Sequence, residues 1–191
     1  MKTTQLTLLL ITILLASQAL RAQERWSIEL RPGINFPTTE IAKSELNTGF
    51  GAELTFGYRF MDHLGAYVGW GWNRFVQENP LGDTDVEMTG YTFGLNFTHP
   101  INESSFAYML RGGAIYNHLE MENKEGEITQ DTGHGFGWEA GLGLQWSLTE
   151  TWKLTPQVGY RMLQRDMDVD GLKTDVELNY FSASLGISKL F

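Results

Sequence analysis

Only a few groups of residues in this 191-residue chain could do chemistry. Asp166, Asp168, Asp170, Gly171 and Glu177 satisfy the EF-hand spacing D-x-[DN]-x-[DN]-G-x5-E, a set of oxygens suited to Ca²⁺. The same stretch carries a competing signal. Asp170-Gly171 is a two-residue type I′ turn pair that sets Val169 opposite Leu172 and Asp168 opposite Lys173. An EF-hand joins two helices, whereas the flanking period here is two, so the hairpin is the preferred reading and Ca²⁺ the lesser one; no other cofactor is expected. The four histidines are His63, His99, His118 and His134. A hydroxyl or water nucleophile needs a base within hydrogen-bond reach. No His-x-Ser motif occurs, and Ser182, Ser184 and Ser188 have no histidine nearby in the pattern, so no catalytic residue is assigned. His118 and His134 are read as interfacial imidazoles in preference to a two-histidine metal site. The absence of cysteine removes thiol nucleophiles, disulfides and Cys-ligated metals.

Positioning elements follow from hydropathy. Met1-Lys2, the apolar run Leu6 to Leu15 and the small residues Ser17, Ala19 and Ala22 read as a secretory signal peptide over residues 1–22, with Ala19 as the other cleavage point. The mature chain, 23–191, then holds 12 basic against 23 acidic residues, which argues against nucleic acid. Its period is two. Alternation predicts strands at Trp26 to Phe36, Phe50 to Phe60, Leu64 to Asn73, Gly90 to Phe97, Phe106 to Asn117, Gly135 to Trp146, Trp152 to Arg161 and Tyr180 to Phe191. One face of each is apolar and the other carries Gly, Ser, Thr and paired Glu and Arg. Short and long connections alternate, and the four long ones hold 16 acidic and 3 basic residues.

The apolar face carries all six tryptophans, which together with the other large side chains cannot fit inside eight strands, while the small polar face can. This predicts an all-β, eight-stranded antiparallel up-and-down transmembrane barrel, apolar outside with a polar lumen, in preference to a lipocalin-like soluble barrel. Trp26, Phe60, Phe106, Trp146 and Trp152 form one interfacial girdle, and Phe36, Phe50, Trp72, Tyr91, Tyr116 and Phe136 the other. A turn with Gly126 in the left-handed position pairs Asn123 with Glu127, which sets Arg111 opposite Glu139; a turn over Thr149 to Thr151 sets Glu139 opposite Arg161. The expected lumen belt is thus Arg111, Glu139 and Arg161, with Glu29, Arg31, Glu53 and Arg59 as further members and Gly113, Gly137, Gly141 and Gly159 leaving room for the arginines.

These features resemble the small eight-stranded outer-membrane proteins typified by the OmpA membrane domain and OmpX. The C-terminal residues Phe181, Ala183, Leu185, Ile187 and Phe191 look like the signal by which such proteins meet the barrel-assembly machinery. The resemblance implies residence in the outer membrane of a diderm bacterium, contact with its lipid, a monomer, and export through the periplasm. It leaves function between surface interaction with an extracellular ligand and envelope structure, with an outer-leaflet lipid-modifying enzyme or a narrow small-solute channel as alternatives. A soluble peptidoglycan-binding domain is not expected, since the sequence stops at Phe191.

Overall fold

Alternating side chains on an extended backbone bury one face only when strands pair. The computed structural model describes residues 25–39, 46–77, 84–123, 125–169 and 172–191. The signal peptide read at 1–22 and the Asp170-Gly171 turn lie outside the described residues. The strands are β1 (Trp26–Pro37), β2 (Gly49–Arg59), β3 (Leu64–Gln77), β4 (Thr84–Pro100), β5 (Phe106–Glu122), β6 (Ile128–Asp131), β7 (Gly135–Ser147), β8 (Trp152–Val169) and β9 (Leu172–Leu190). All pairings are antiparallel between neighbours, and β9 returns to β1. β6 pairs only with the outer end of β5, so the closed wall has eight strands. Where the eight strands close, no strand edge is left unpaired.

Odd positions of β1, β2, β3, β5, β7 and β8 and even positions of β4 and β9 point inward. The outward set includes Trp26, Phe50, Trp70, Tyr91, Trp138, Phe136, Phe181 and Leu185, all large, apolar and solvent-exposed. So much exposed apolar surface on a well-paired wall needs lipid as its solvent. The C-terminal series Phe181, Ala183, Leu185, Ile187 and Phe191 faces outward. Lys189 shares that face, and its ammonium lies 5.6 Å from the Trp152 ring centre and 5.4 Å from that of Phe191, a cation at an aromatic girdle.

Three expectations need correction. The first concerns the long connections, which are in large part strand. β8 and β9 run 18 and 19 residues, whereas about 9–11 suffice to cross a membrane. Their pairing closes with Asp168 opposite Lys173 and Val169 opposite Leu172, the register that the turn chemistry dictates.

The second is the β5–β7 register. Gly126 does take the left-handed conformation, φ 78°, and the Asn123 N–H donates to the Glu127 carbonyl at 3.0 Å. Two residues are then gained on the β6–β7 side. One enters at a bulge between Met121 and Glu122, the other at the break Thr132 to His134, where Gly133 has φ 68°. Below the break Arg111 faces Gly141, and Glu139 faces Gly113.

The third is the lumen, polar throughout the half next to the short turns, the periplasmic half in barrels of this kind, but largely apolar beyond it. Its outer half is an apolar core of Phe75, Val86, Met88, Ile115, Leu119, Leu163, Leu178 and Tyr180, capped by Leu46 from the β1–β2 connection. Phe75 and Tyr180 meet edge to face at 5.3 Å. Gly137 leaves its space to Leu163 and not to an arginine: a Cβ there would lie 2.5 Å from the Leu163 side chain.

Two outcomes follow. Phe75→Ala should destabilise the barrel by about 3–5 kcal/mol, read as a lower urea midpoint of the refolded protein in detergent. Because β8 and β9 pair fully up to their turn, metal-free protein should refold to the same heat-modifiable species with and without added CaCl₂; a Ca²⁺ requirement would show that the acids of this hairpin ligate after all.

Candidate functional site

The inward faces of β1, β2, β5, β7 and β8 bring five ionised side chains to one level. Glu53 is the hub. Its carboxylate accepts from Arg31 Nη2 at 2.5 Å, from Arg111 Nη2 at 2.6 Å and from the Arg161 guanidinium. Thr55 and Thr92 hydroxyls donate to the same carboxylate at 3.0 and 3.2 Å. Glu139 takes the second position, accepting from Arg111 Nε at 2.9 Å, Arg161 Nε at 2.9 Å and the Tyr67 hydroxyl at 2.6 Å. Glu29, 3.7 Å from Arg31, brings the count to three arginines and three glutamates. A buried guanidinium is tolerable only when its fork is filled by carboxylates or other acceptors, and here the charges balance.

The structure therefore brings Arg111, Glu139, Arg161, Arg31, Glu53 and Glu29 together. It leaves Arg59 out: that side chain is exposed and lines a periplasmic vestibule of about 350 Å³ with Arg25, Asp62 and Lys153. On the other side of the cluster is a cavity of about 40 Å³, and the two spaces share no lining residue. Tyr67 is the member that sequence reasoning missed. Its ring lies under the Arg111 guanidinium at 3.6 Å, and the facing glycines Gly94 and Gly113 accommodate it; a Cβ at Gly113 would stand 2.3 Å from its hydroxyl. Gly113 thus makes room for a tyrosine where an arginine was expected. Tyr180 joins the two halves of the lumen, accepting from Arg161 Nη1 at 3.3 Å while its ring packs in the apolar core. Within the level of that core a fourth buried arginine, Arg165, lies opposite Val176 and is held by neutral oxygens: the carbonyls of Asn117, Phe136 and Gln164 and the Asn117 side chain.

The histidines divide between the two ends of the barrel. His63 and His99 lie 4.7 Å apart, ring to ring, at the periplasmic turns. At the outer end, His118 and His134 stack at 4.4 Å with planes 14° apart, and His118 Nδ1 is 3.6 Å from Glu120 and 3.3 Å from Asp131. The expectation of plain interfacial imidazoles does not include these acids, which lie between the expected strands ending at Asn117 and beginning at Gly135. Around them the outward face is crowded with carboxylates: Asp85 pairs with Glu122 and Glu87 with Glu120 across β4 and β5. Partial desolvation, and after it the field of Glu87, raises the Glu122 carboxyl above its ordinary pKa. Asp166, Asp168 and Asp170 fall where side chains lie outside the described residues.

Removing one partner of a buried charge cluster costs more than the pair contributes, because the orphaned charges stay buried. Glu53→Ala leaves three guanidinia with only Glu139 and the more distant Glu29 against them and should lower stability by about 3–5 kcal/mol. Glu139→Ala should cost less, since Arg111 and Arg161 keep Glu53. The measurement is urea unfolding of both variants in detergent; equal or reversed losses would contradict the hub role of Glu53.

No curated relative matches the sequence. Among solved structures, neisserial surface protein A superposes with TM-score 0.65 at 14% identity over 87% of this chain and 97% of that one. Outer membrane protein W of E. coli gives 0.56 at 15% identity over 88% and 99%. Ail, the attachment invasion locus protein of Yersinia pestis, solved with the heparin analogue sucrose octasulfate, gives 0.52 at 17% identity over 87% and 99%. At such identities these similarities speak for the fold. The family of the outer membrane protein beta-barrel domain matches residues 6–188, nearly the whole sequence, and the chain belongs to that family, which implies the outer membrane as its location.

Proposed function

We propose that this protein is a closed, monomeric barrel that works at the cell surface, binding an extracellular ligand or partner through its acidic outer hairpins. The observation that carries this is the doubly filled lumen. The ion cluster around Glu53 blocks the periplasmic half and the apolar core around Phe75 and Leu163 fills the outer half. An eight-stranded interior is just wide enough for side chains, and here they occupy it. Among the described residues, the 40 Å³ cavity at the ion cluster and the periplasmic vestibule share no lining residue, which supports a closed lumen. Work is thereby assigned to the outer ends of β4, β5 and β9, where Asp85, Glu87, Glu120, Glu122 and Glu177 face outward.

The sign of that surface selects the partner. The known Ail complex contains a polyanion, whereas four outer connections with 16 acidic and 3 basic residues repel one. A basic protein surface is the complementary class. The reading includes a leader cleaved after residue 22 and no catalytic residue. It is tested by two measurements. In planar bilayers the refolded protein should give no steady conductance. Cells displaying it should adhere to a lysine-coated surface in a salt-sensitive way, and replacing Gln164 to Glu177 by a tight turn should weaken this adhesion. Steady conductance, or adhesion indifferent to loss of each outer hairpin, would overturn the proposal.

A further inference from the structure

The outer rim carries a ligand set that shares only Glu120 with the surface acids named above. His118 and Glu120 are two residues apart on β5 and so share its outward face. Asp131, the last residue of β6, pairs with Glu120 across the ladder. Directly after it the chain breaks at Thr132 to His134, with Gly133 at φ 68°. The break allows the Gly133 N–H to donate to Asp131 Oδ1 at 2.7 Å, which fixes that carboxylate beside the His118 ring. His134, the last residue of the break, stacks on that ring.

Two observations point to a cation. The first is electrostatic. Glu120 and Asp131 are directly opposed like charges, an arrangement that destabilises a sheet, and Glu87 stands on the far side of Glu120. The nearby guanidinium of Arg74 is engaged by Asp85 and Glu87. The second is metric. One nitrogen of His118 and one oxygen each of Glu120 and Asp131 lie within 4.8 Å of one another. The two separations from His118 Nδ1, 3.6 and 3.3 Å, are those of neighbouring ligand atoms on one small ion. A tetrahedron with bonds of about 2.1 Å has edges of about 3.4 Å, the geometry of Zn²⁺ held by imidazole and carboxylates.

From this we infer that His118, Glu120 and Asp131 form a divalent transition-metal site of the Zn²⁺ class, with a fourth position open outward. A site containing an imidazole nitrogen discriminates against the all-oxygen preference of Ca²⁺ and Mg²⁺. The stacked His134 and the Gly133 bond orient two of the ligands, as outer partners do at metal sites. Bound metal joins β5 to the end of β6 beside the break and pins the outer hairpin against the wall. The girdle residues Tyr116 and Phe136, with rings 4.9 Å apart, lie immediately below, and Tyr116 is 5.2 Å from His134. The site is therefore at headgroup depth, open to the outside.

The test is calorimetric titration of the refolded full chain in detergent with ZnCl₂ alone. One saturable site of micromolar affinity or tighter is expected. His118→Gln should weaken it about tenfold or more, as should Asp131→Asn, while His99→Gln at the periplasmic end should not. All three side chains of the site are at the rim and outside the lumen, so heat-modifiable migration reports whether each variant has folded. Zn²⁺ should also raise the temperature at which the wild-type barrel opens, and do so less in His118→Gln. Three results would overturn the site: no saturable Zn²⁺ binding, binding unchanged in folded His118→Gln, or Ca²⁺ binding as tightly as Zn²⁺ at the same residues.

Discussion

The interior of an eight-stranded barrel has room for side chains and little else, and the rest of this structure depends on that narrowness. Whatever points inward must interlock and must be satisfied there. In the periplasmic half the solution is ionic: three arginines and three glutamates close on one another with Glu53 at the centre. The small residues on this face give their space to neighbours. Gly94 and Gly113 make way for Tyr67, which then supports Arg111 from below and donates to Glu139. A single large residue is thus paired with two absent side chains on adjacent strands, and the wall closes without a gap.

A balanced cluster of this kind is costly to assemble and more costly to leave incomplete. That asymmetry gives it a second effect. Since each guanidinium reaches carboxylates on other strands, β1, β2, β5, β7 and β8 are tied together across the lumen as well as through their ladders. A shift of one strand by a single residue would carry its charged side chains to the lipid face and strand their partners inside. The plug therefore fixes register as well as permeability, and both consequences favour a rigid support whose variable parts project outward.

How much of this was legible in the sequence depended on the type of signal. Parity was legible, because the pleat repeats every two residues and lipid enforces it. Registers set by a tight turn were legible too: the pairs across β7 and β8 follow from the turn at Thr149 to Thr151, and those across β8 and β9 from Asp170-Gly171. The β5–β7 register was not, because a bulge at Met121/Glu122 and a break at Gly133 each add a residue, and composition does not tell how many residues such irregularities insert. The Arg111 to Glu139 contact survives this shift, since a displacement of two preserves the face and a long side chain spans the diagonal. Which acid would be the hub was not legible either. Arg111, Glu139 and Arg161 are neighbours along the wall, but the approach of Glu53 from across the lumen is a property of closure, not of any local pair.

The outer half of the lumen was missed for a more general reason, and it explains why the strands were ended early. Along β3 the outward series passes from Trp70 and Trp72 to Arg74, while the inward series passes from Gly71 and Asn73 to Phe75. β5 does the same: Tyr116 outward gives way to His118 and Glu120, and Asn117 inward to Leu119 and Met121. On β4 Met88 points in and Glu87 out. Parity is unchanged but polarity is reversed. The reversal falls at the aromatic girdle, where the solvent around the barrel changes from hydrocarbon to water. Below that level the apolar face must meet lipid and the lumen must be polar or small; above it the outward face must meet water, and burial becomes available only inside. The wall is thus one continuous ladder that obeys two opposite hydropathy rules. A reading that follows the apolar face loses the strand at the crossing, at Asn73, Gly90, Asn117, Arg161 and Tyr180, where the expected elements stopped or began. The core above the crossing keeps the hairpins upright, and their charged outer faces, including the histidine and carboxylate cluster at the rim, owe their fixed geometry to it.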